Sequence, residues 1–149
     1  MKNIDLNADV IDVREIIERV EALREAKQSL RDEFDEEPTN AGVDFEAWAR
    51  NQVNWSSEES DELTSLETIL ADLAGSGGDE QWDGDWYPLT LIADWHFKDY
   101  AQELADDLDG SAIDNAIWPF TCIDWERAAR ELRMDYTSTE IDGNTYWYR

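Results

Sequence analysis

Tyr136-Thr137-Ser138-Thr139-Glu140-Ile141, Asp142-Gly143-Asn144 and Thr145-Tyr146-Trp147-Tyr148 form the stretch that decides the fold class. Two runs rich in β-branched and aromatic residues flank a turn in which Gly and Asn supply the positive φ that hairpins need. The chain therefore closes on a β-hairpin. Nearly everything before it carries helical periodicity, and the combination predicts an α+β protein: a long N-terminal heptad helix, then a helical domain with a small antiparallel sheet. A strand over Tyr87–Ile92, with Pro88 near its start where a missing donor is tolerated, is expected to complete a three-stranded sheet with the hairpin.

Working back from the hairpin, Asp124 is expected to cap a helix that carries Trp125, Ala128, Ala129 and Leu132 on one face. Asp94 opens another, running to about Leu108. At 100° per residue its Phe97, Tyr100, Ala101, Leu104, Ala105 and Leu108 fall opposite Asp99, Glu103, Asp106 and Asp107. Residues 109–119 read as a linker and 79–86 as an acidic aromatic loop. Ser57 caps a helix to about Ala74 with Leu63, Leu66, Ile69, Leu70 and Leu73 on its apolar face, closed by Gly75-Ser76-Gly77-Gly78. Asp44 caps a short helix containing Phe45, Trp48 and Ala49.

The first segment, from Asn7 or Asp9 to Phe34, places Val13, Ile16, Val20, Leu23, Lys27, Leu30 and Phe34 at 3,4 spacing. So narrow a stripe suits a coiled coil or a helix laid on a partner. Val13, Ile16, Val20, Leu23, Leu30 and Phe34 are thus candidates for an oligomer or partner contact. Lys27 either selects register or snorkels. The helix should stop before Glu36-Glu37-Pro38, since proline disfavours helical geometry in the residue preceding it. The expected division is a helical arm, 1–37, and an acidic α+β domain, 38–149.

Composition supports folding: 42% of the 149 residues are hydrophobic, and only seven are Gly and three Pro. Trp48, Trp55, Trp82, Trp86, Trp95, Trp118, Trp125 and Trp147 are expected in the core rather than on a ligand platform. The lone Cys122 excludes an intrachain disulfide and a cysteine zinc cage, and reads as a small buried hydrophobe. The start lacks the apolar run of a secretory signal, and no run reaches the roughly 20 apolar residues of a membrane span. A cytoplasmic protein is expected.

Thirty-seven acids against twelve bases give a net charge of −25, unevenly placed. Residues 1–34 carry net −3, residues 35–124 net −21 and residues 125–149 net −1. Self-repulsion of this size opposes compactness, so a folded chain that keeps it is expected to use its field. Anionic membranes and nucleic acid are repelled, which leaves a basic protein surface as the partner.

Chemistry is poorly supplied. His96 is the only histidine, carboxylate pairs are too abundant to be informative, and the glycine-rich stretch runs into Asp79-Glu80, the wrong sign for phosphate. Asp79, Asp83 and Asp85, or Asp106, Asp107 and Asp109, offer oxygens for casual divalent binding. An EF-hand begun at Asp79 fails because Thr90 stands where a bidentate Glu is needed. The expectation is a non-enzymatic protein with no cofactor and no dedicated metal.

The sharper reading is that acidic rows stand in for DNA phosphates. At one charge per about 1.7 Å of duplex axis, 25 charges match roughly 43 Å of DNA. One row is too sparse, since carboxylates four residues apart on a helix recur every ~6 Å against about 3.4 Å per phosphate on one strand. Glu58, Glu59, Asp61, Glu62, Glu67 and Asp72 on one helix, the 99–107 stripe with Asp106, and loop residues Asp79, Glu80, Asp83, Asp85, Asp109 and Asp114 are the candidate partner-binding set. Two alternatives stand beside it: acidity for solubility or salt adaptation, and an intracellular adaptor that uses the N-terminal heptad helix.

Gly84-Asp85-Trp86-Tyr87-Pro88-Leu89-Thr90-Leu91-Ile92, then Phe97-Lys98-Asp99-Tyr100-Ala101 with Glu103-Leu104-Ala105, and Ile123-Asp124-Trp125-Glu126-Arg127-Ala128-Ala129 with Asp135-Tyr136-Thr137-Ser138 resemble the ArdA-type antirestriction proteins and their phage-borne relatives. The closing Asp142–Arg149 segment fits their C-terminal hairpin. The resemblance covers roughly residues 40–149 and is strongest from 84 onward. It implies a phage- or mobile-element-encoded DNA mimic that occupies the DNA-binding cleft of a host restriction or defence complex, typically as a homodimer and without catalytic residues. The long N-terminal heptad helix departs from that family's pattern.

Overall fold

The computed structural model describes residues 4–52, 55–82, 84–114, 118 and 121–149, with the side chains of 109–114 outside the description. Its elements are β1 (Val10–Asp12), α1 (Val13–Glu36), α2 (Phe45–Ala49), α3 (Ser57–Leu73), β2 (Asp79–Trp82), β3 (Asp85–Tyr87), β4 (Thr90–Ala93), α4 (Phe97–Asp114), α5 (Trp125–Arg133), β5 (Thr137–Ile141) and β6 (Asn144–Tyr148). The α+β class is as expected. Contacts group the chain into two units, one built on Arg14–Ala74 and one on Asp5–Val13 with Gly75–Arg149. The expected boundary at residue 37 falls inside the first.

In the second unit the closing hairpin sets the register. Asp142 and Gly143 take φ of 52° and 79°, and Ile141 faces Asn144 across them. Such a two-residue turn matches the twist of the flanking strands. The expected third strand is present but begins later: β4 starts at Thr90 and pairs with β6 through Ile92↔Trp147 and Ala93↔Tyr146. Pro88, which has no N–H, separates it from β3.

A fourth strand, β1, pairs antiparallel with β4, giving the order β1-β4-β6-β5. The helix expected from Asn7 or Asp9 therefore begins only at Val13. Tyr146 holds the segment before β1 in place, its hydroxyl lying 2.9 Å from the Leu6 carbonyl and 2.8 Å from that of Ala8.

Residues 79–86, expected as a loop, form most of a small antiparallel hairpin, β2 with β3, that carries a register shift between Glu80 and Trp82. Gly78 enters it at φ 67°, so close to the Tyr87 carbonyl that a Cβ would overlap it. On one face of the main sheet Ile92 joins Phe97, Ala101 and Ala129 in a core flanked by Tyr100, Leu132, Tyr136 and Trp147. Asp124 caps α5 as expected, accepting from the Arg127 amide. The helix expected to open at Asp94 starts with a 3₁₀ turn, Asp94–His96, and α4 then continues to Asp114, so half of the expected 109–119 linker is helical.

In the first unit Asp44 caps α2. The cap of α3 is Ser56, one residue earlier than expected, in a capping box with Glu59. Leu63, Leu66, Leu70 and Leu73 are buried as read, each such side chain contributing about 1.5–3 kcal/mol. Phe34 meets Phe45 and Trp48 with ring centroids 5.4 and 5.2 Å apart.

The seam of α1 is not available to a partner. Val13, Ile16, Val20 and Leu23 are fully buried within the chain, Phe34 nearly so, and Leu30 half-buried. Ile17 is buried as well and widens the stripe to roughly 140°, the span of a core-facing helix rather than a coiled-coil seam. Lys27 snorkels, its Nζ lying 3.1 Å from Glu46 Oε1 on α2.

Candidate functional site

The acidic residues of the first unit are sorted by the bases of α1. Arg19, only 7% exposed, grips Glu62 in a bidentate fork, Nε to Oε1 at 2.7 Å and Nη2 to Oε2 at 2.8 Å. That fork raises the Arg19 pKa above its usual value against the opposing cost of burial. Five residues on along each helix, Arg24 Nη2 lies 3.3 Å from Glu67 Oε2. The two pairs advance together, so α1 and α3 run in the same direction.

Glu59 accepts from the Ser56 amide at 2.8 Å and from the Ser56 hydroxyl, and these bonds, the hydroxyl's first, hold its pKa below the usual carboxylate value. Three of the six candidate carboxylates on α3, Glu59, Glu62 and Glu67, are thereby engaged inside the unit. Glu58, Asp61 and Asp72 are exposed and share an arc of roughly 60° opposite the leucines.

Arg19, Arg24 and Lys27 pair with acids of α2 and α3, whereas Arg14 is exposed on the opposite side of α1 and Arg31 pairs with Asp35 of the same helix, so that side is acidic with one base at its start. Glu18, Glu21, Glu25, Asp32 and Glu36 are all exposed, and at 100° per residue they occupy about 60° of the helix, opposite Ile16, Val20 and Leu23. From Glu18 to Glu36 the row is about 27 Å long, equal to roughly eight phosphate steps of one DNA strand. Sequence reading missed this row because it summed charge over residues 1–34. The wheel applied to α4 would have found it.

In the second unit α4 presents its stripe as expected. Asp99, Glu103 and Asp107 are exposed, while Asp106 is half-buried. On the small hairpin Asp79, Glu80 and Asp85 are exposed. Asp83 lies outside the described residues, as do the side chains of Asp109 and Asp114.

The remaining chemistry-bearing groups do not converge. His96 Nδ1 lies 4.0 Å from Asp9 Oδ2 and 4.0 Å from Asp99 Oδ2, and Asp9 Oδ1 also accepts from Trp95 Nε1 at 2.6 Å. Among the described residues, no group of three His, Cys, Asp or Glu side chains is arranged to hold a metal. Cys122 is exposed rather than buried, in the segment that leads into α5. Trp86, Trp95 and Trp118 are exposed by half or more, against the expectation that every Trp is core, whereas Trp55 is buried. Among the described residues no helix is long and apolar enough to cross a membrane. No protein-family model, curated protein or solved structure matches this chain.

Proposed function

We propose that this protein is a non-enzymatic DNA mimic: an inhibitor that presents carboxylate rows to the basic DNA-binding cleft of a host restriction or other defence complex, in the host cytoplasm. The observation that carries the reading is the sorting of charge by face on α1. Arg19, Arg24 and Lys27 are drawn into pairs with Glu62, Glu67 and Glu46, while five acids of the same helix stay exposed on the opposite side. A coat of charge for solubility needs no such sorting. The α4 stripe, Asp99, Glu103 and Asp107, repeats the pattern in the second unit, and the resemblance of residues 84–149 to ArdA-type proteins favours the same reading.

The test is capture of the target from host lysate, with and without competing duplex DNA, at rising salt. Binding is expected to be displaced by DNA and to weaken steeply with ionic strength, because exposed charges are screened over about 10 Å at 0.1 M. Changing Asp99, Glu103 and Asp107 together to Lys, or Glu18, Glu21 and Glu25 together to Lys, should abolish inhibition with the fold intact. Full inhibition by both variants, or capture that DNA does not displace, sinks the reading.

A further inference from the structure

Of the protein's twelve bases, three line one cavity of the first unit. Arg24, Lys27 and Arg31 share an arc of roughly 60° on α1. The cavity beside them has a volume of about 510 Å³, within the roughly 300–1,000 Å³ of sites that take small molecules. Buried Phe45 and Leu63 supply its apolar part, and Glu46 of α2 and Glu67 of α3 line it as well. In a chain of net −25, three cations against two acids reverse the prevailing sign.

These cations are held more loosely than Arg19, which is buried and gives two nitrogens to Glu62. Arg24 meets Glu67 at 3.3 Å and Lys27 meets Glu46 at 3.1 Å, and all four side chains are more than a third exposed. Ion pairs so open to water contribute little, and a stronger anion displaces their carboxylates at small cost. Arg31 lies over the rings of Phe45 and Phe34, its Cζ 4.9 and 5.5 Å from their centroids. Such stacking fixes the plane of a guanidinium. Among the described residues the Arg31 side chain makes one hydrogen bond, from Nε to Asp35 Oδ2 at 3.4 Å, which leaves its two terminal nitrogens for a ligand.

We infer that this cavity binds an oligophosphate chain, free or carried by a small organic molecule such as a nucleoside triphosphate. Three observations choose that chemistry. From Arg24 to Arg31 the cationic row runs about 10 Å along α1, so it suits a chain of anionic groups better than a single ion. A ligand carboxylate would only repeat what Glu46 and Glu67 already offer, whereas phosphate brings more acceptor oxygens and favours the arginine fork. Phe45 and Leu63 give an organic body an apolar surface on which to rest. Duplex DNA carries the same phosphates, but it is too large for the cavity and is repelled by the net charge of −25. The inference does not rest on the DNA-mimic reading, because the exposed acids of α1 lie roughly 120° around the helix from this row.

The test is calorimetric titration of the full chain with sodium tripolyphosphate and with ATP, both free of divalent metal, at about 0.1 M salt. Saturable one-to-one binding is expected. Lys27→Ala and Arg31→Ala should each weaken it about tenfold, the loss of one charge-assisted hydrogen bond. Glu46→Gln combined with Glu67→Gln should tighten it several-fold by removing the competing carboxylates, a gain that no misfolded variant can give. Arg14→Ala, on the opposite side of α1, should leave it unchanged. Equal affinity for the two ligands assigns the cavity to the phosphate chain alone, and tighter binding of ATP adds Phe45 and Leu63 to the contact. Absence of saturable binding to either ligand overturns the inference. So does binding that Arg14→Ala weakens as much as Lys27→Ala, or orthophosphate or citrate that binds as tightly as tripolyphosphate.

Discussion

Helices α3 and α4 are both amphipathic and acidic, yet they treat their carboxylates differently. On α4 Asp99, Glu103 and Asp107 stand exposed, while the inner face is closed by Phe97 and Ala101. On α3 half of the candidate acids are committed within the unit, to Arg19, to Arg24 and to the helix's own N-terminus. The difference lies in what each helix is packed beside. Parallel to α3 runs a helix with Arg at 19 and 24, in step with Glu62 and Glu67. The neighbour of α4 is α5, whose Arg133 serves Asp94 before α4 begins, at 2.8 Å, and lies 5.3 Å from the Phe97 ring centroid. A count of acids along the chain therefore overstates the surface of α3 and understates that of α1.

The largest test of this contrast is Arg19→Met. Removing the guanidinium leaves the Glu62 carboxylate, 24% exposed, without its bidentate partner. Breaking a pair with one buried member should destabilise the protein by about 3 kcal/mol. Adding Glu62→Leu should recover most of that loss, since an apolar pair of similar volume replaces a buried ion pair at little cost. Glu103→Gln on α4 should change stability by less than about 0.5 kcal/mol. Urea titrations of the four proteins check this, and an Arg19→Met loss no larger than that of Glu103→Gln breaks the comparison.

A smaller effect belongs to the start of α3. Ser56→Ala removes the hydroxyl that caps the helix and bonds Glu59, and should cost about 1 kcal/mol at neutral pH. The Glu59 pKa is depressed in the folded state, so its contribution is present above the unfolded value of about 4.3 and is lost as pH falls through the lower folded value. The deficit of Ser56→Ala should therefore shrink as stability is measured from pH 7 down through pH 4 and below. A deficit constant over that range would mean that Glu59 is not held by Ser56.

What was legible in the sequence was what local residues decide. The Asp142-Gly143 turn, the Asp44 and Asp124 caps and the leucine face of α3 each depend on neighbours within a few positions, and each was read correctly or within one residue. Strand β1 was not legible, because Val10-Ile11 continues into the helical periodicity of α1 with no turn signal between them. Only β4, some 80 residues on, makes it a strand. The acidic loop hid a hairpin because Asp and Glu are poor strand formers, although Asp83-Gly84 was a turn signal. For the surface, the α4 stripe followed from a wheel, whereas the engagement of Glu62 depends on Arg19, 43 residues away. Periodicity shows which side of a helix is polar, and it is silent on which polar residue meets an opposite charge.

The smallest effect lies beneath α4 and sharpens the comparison from the inner side. Tyr100 and Tyr136 share a hydrogen bond, hydroxyl to hydroxyl at 2.9 Å, and burial first, then that bond, pushes the Tyr100 pKa up to about 12. Its stabilising contribution is whole below the unfolded value of about 10 and is lost as pH rises through 12. α4 thus meets its alkaline limit through a tyrosine on its covered face, while α3 meets an acid limit through a glutamate at its cap. Tyr136→Phe removes the hydrogen bond but not the burial, and should cost about 1 kcal/mol at neutral pH. In that variant Tyr100 should ionise at lower pH than in the wild type while staying above 10, because desolvation, the larger cause, persists. Absorbance at 295 nm followed from pH 8 to 13 reads both points. If Tyr100 ionises near 10 in the wild type, the inner face of α4 is wetter than the packing of Tyr100 against Phe97 and Tyr136 implies, and α4 loses its contrast with α3 as the helix whose Asp99, Glu103 and Asp107 stay outside a closed aromatic face.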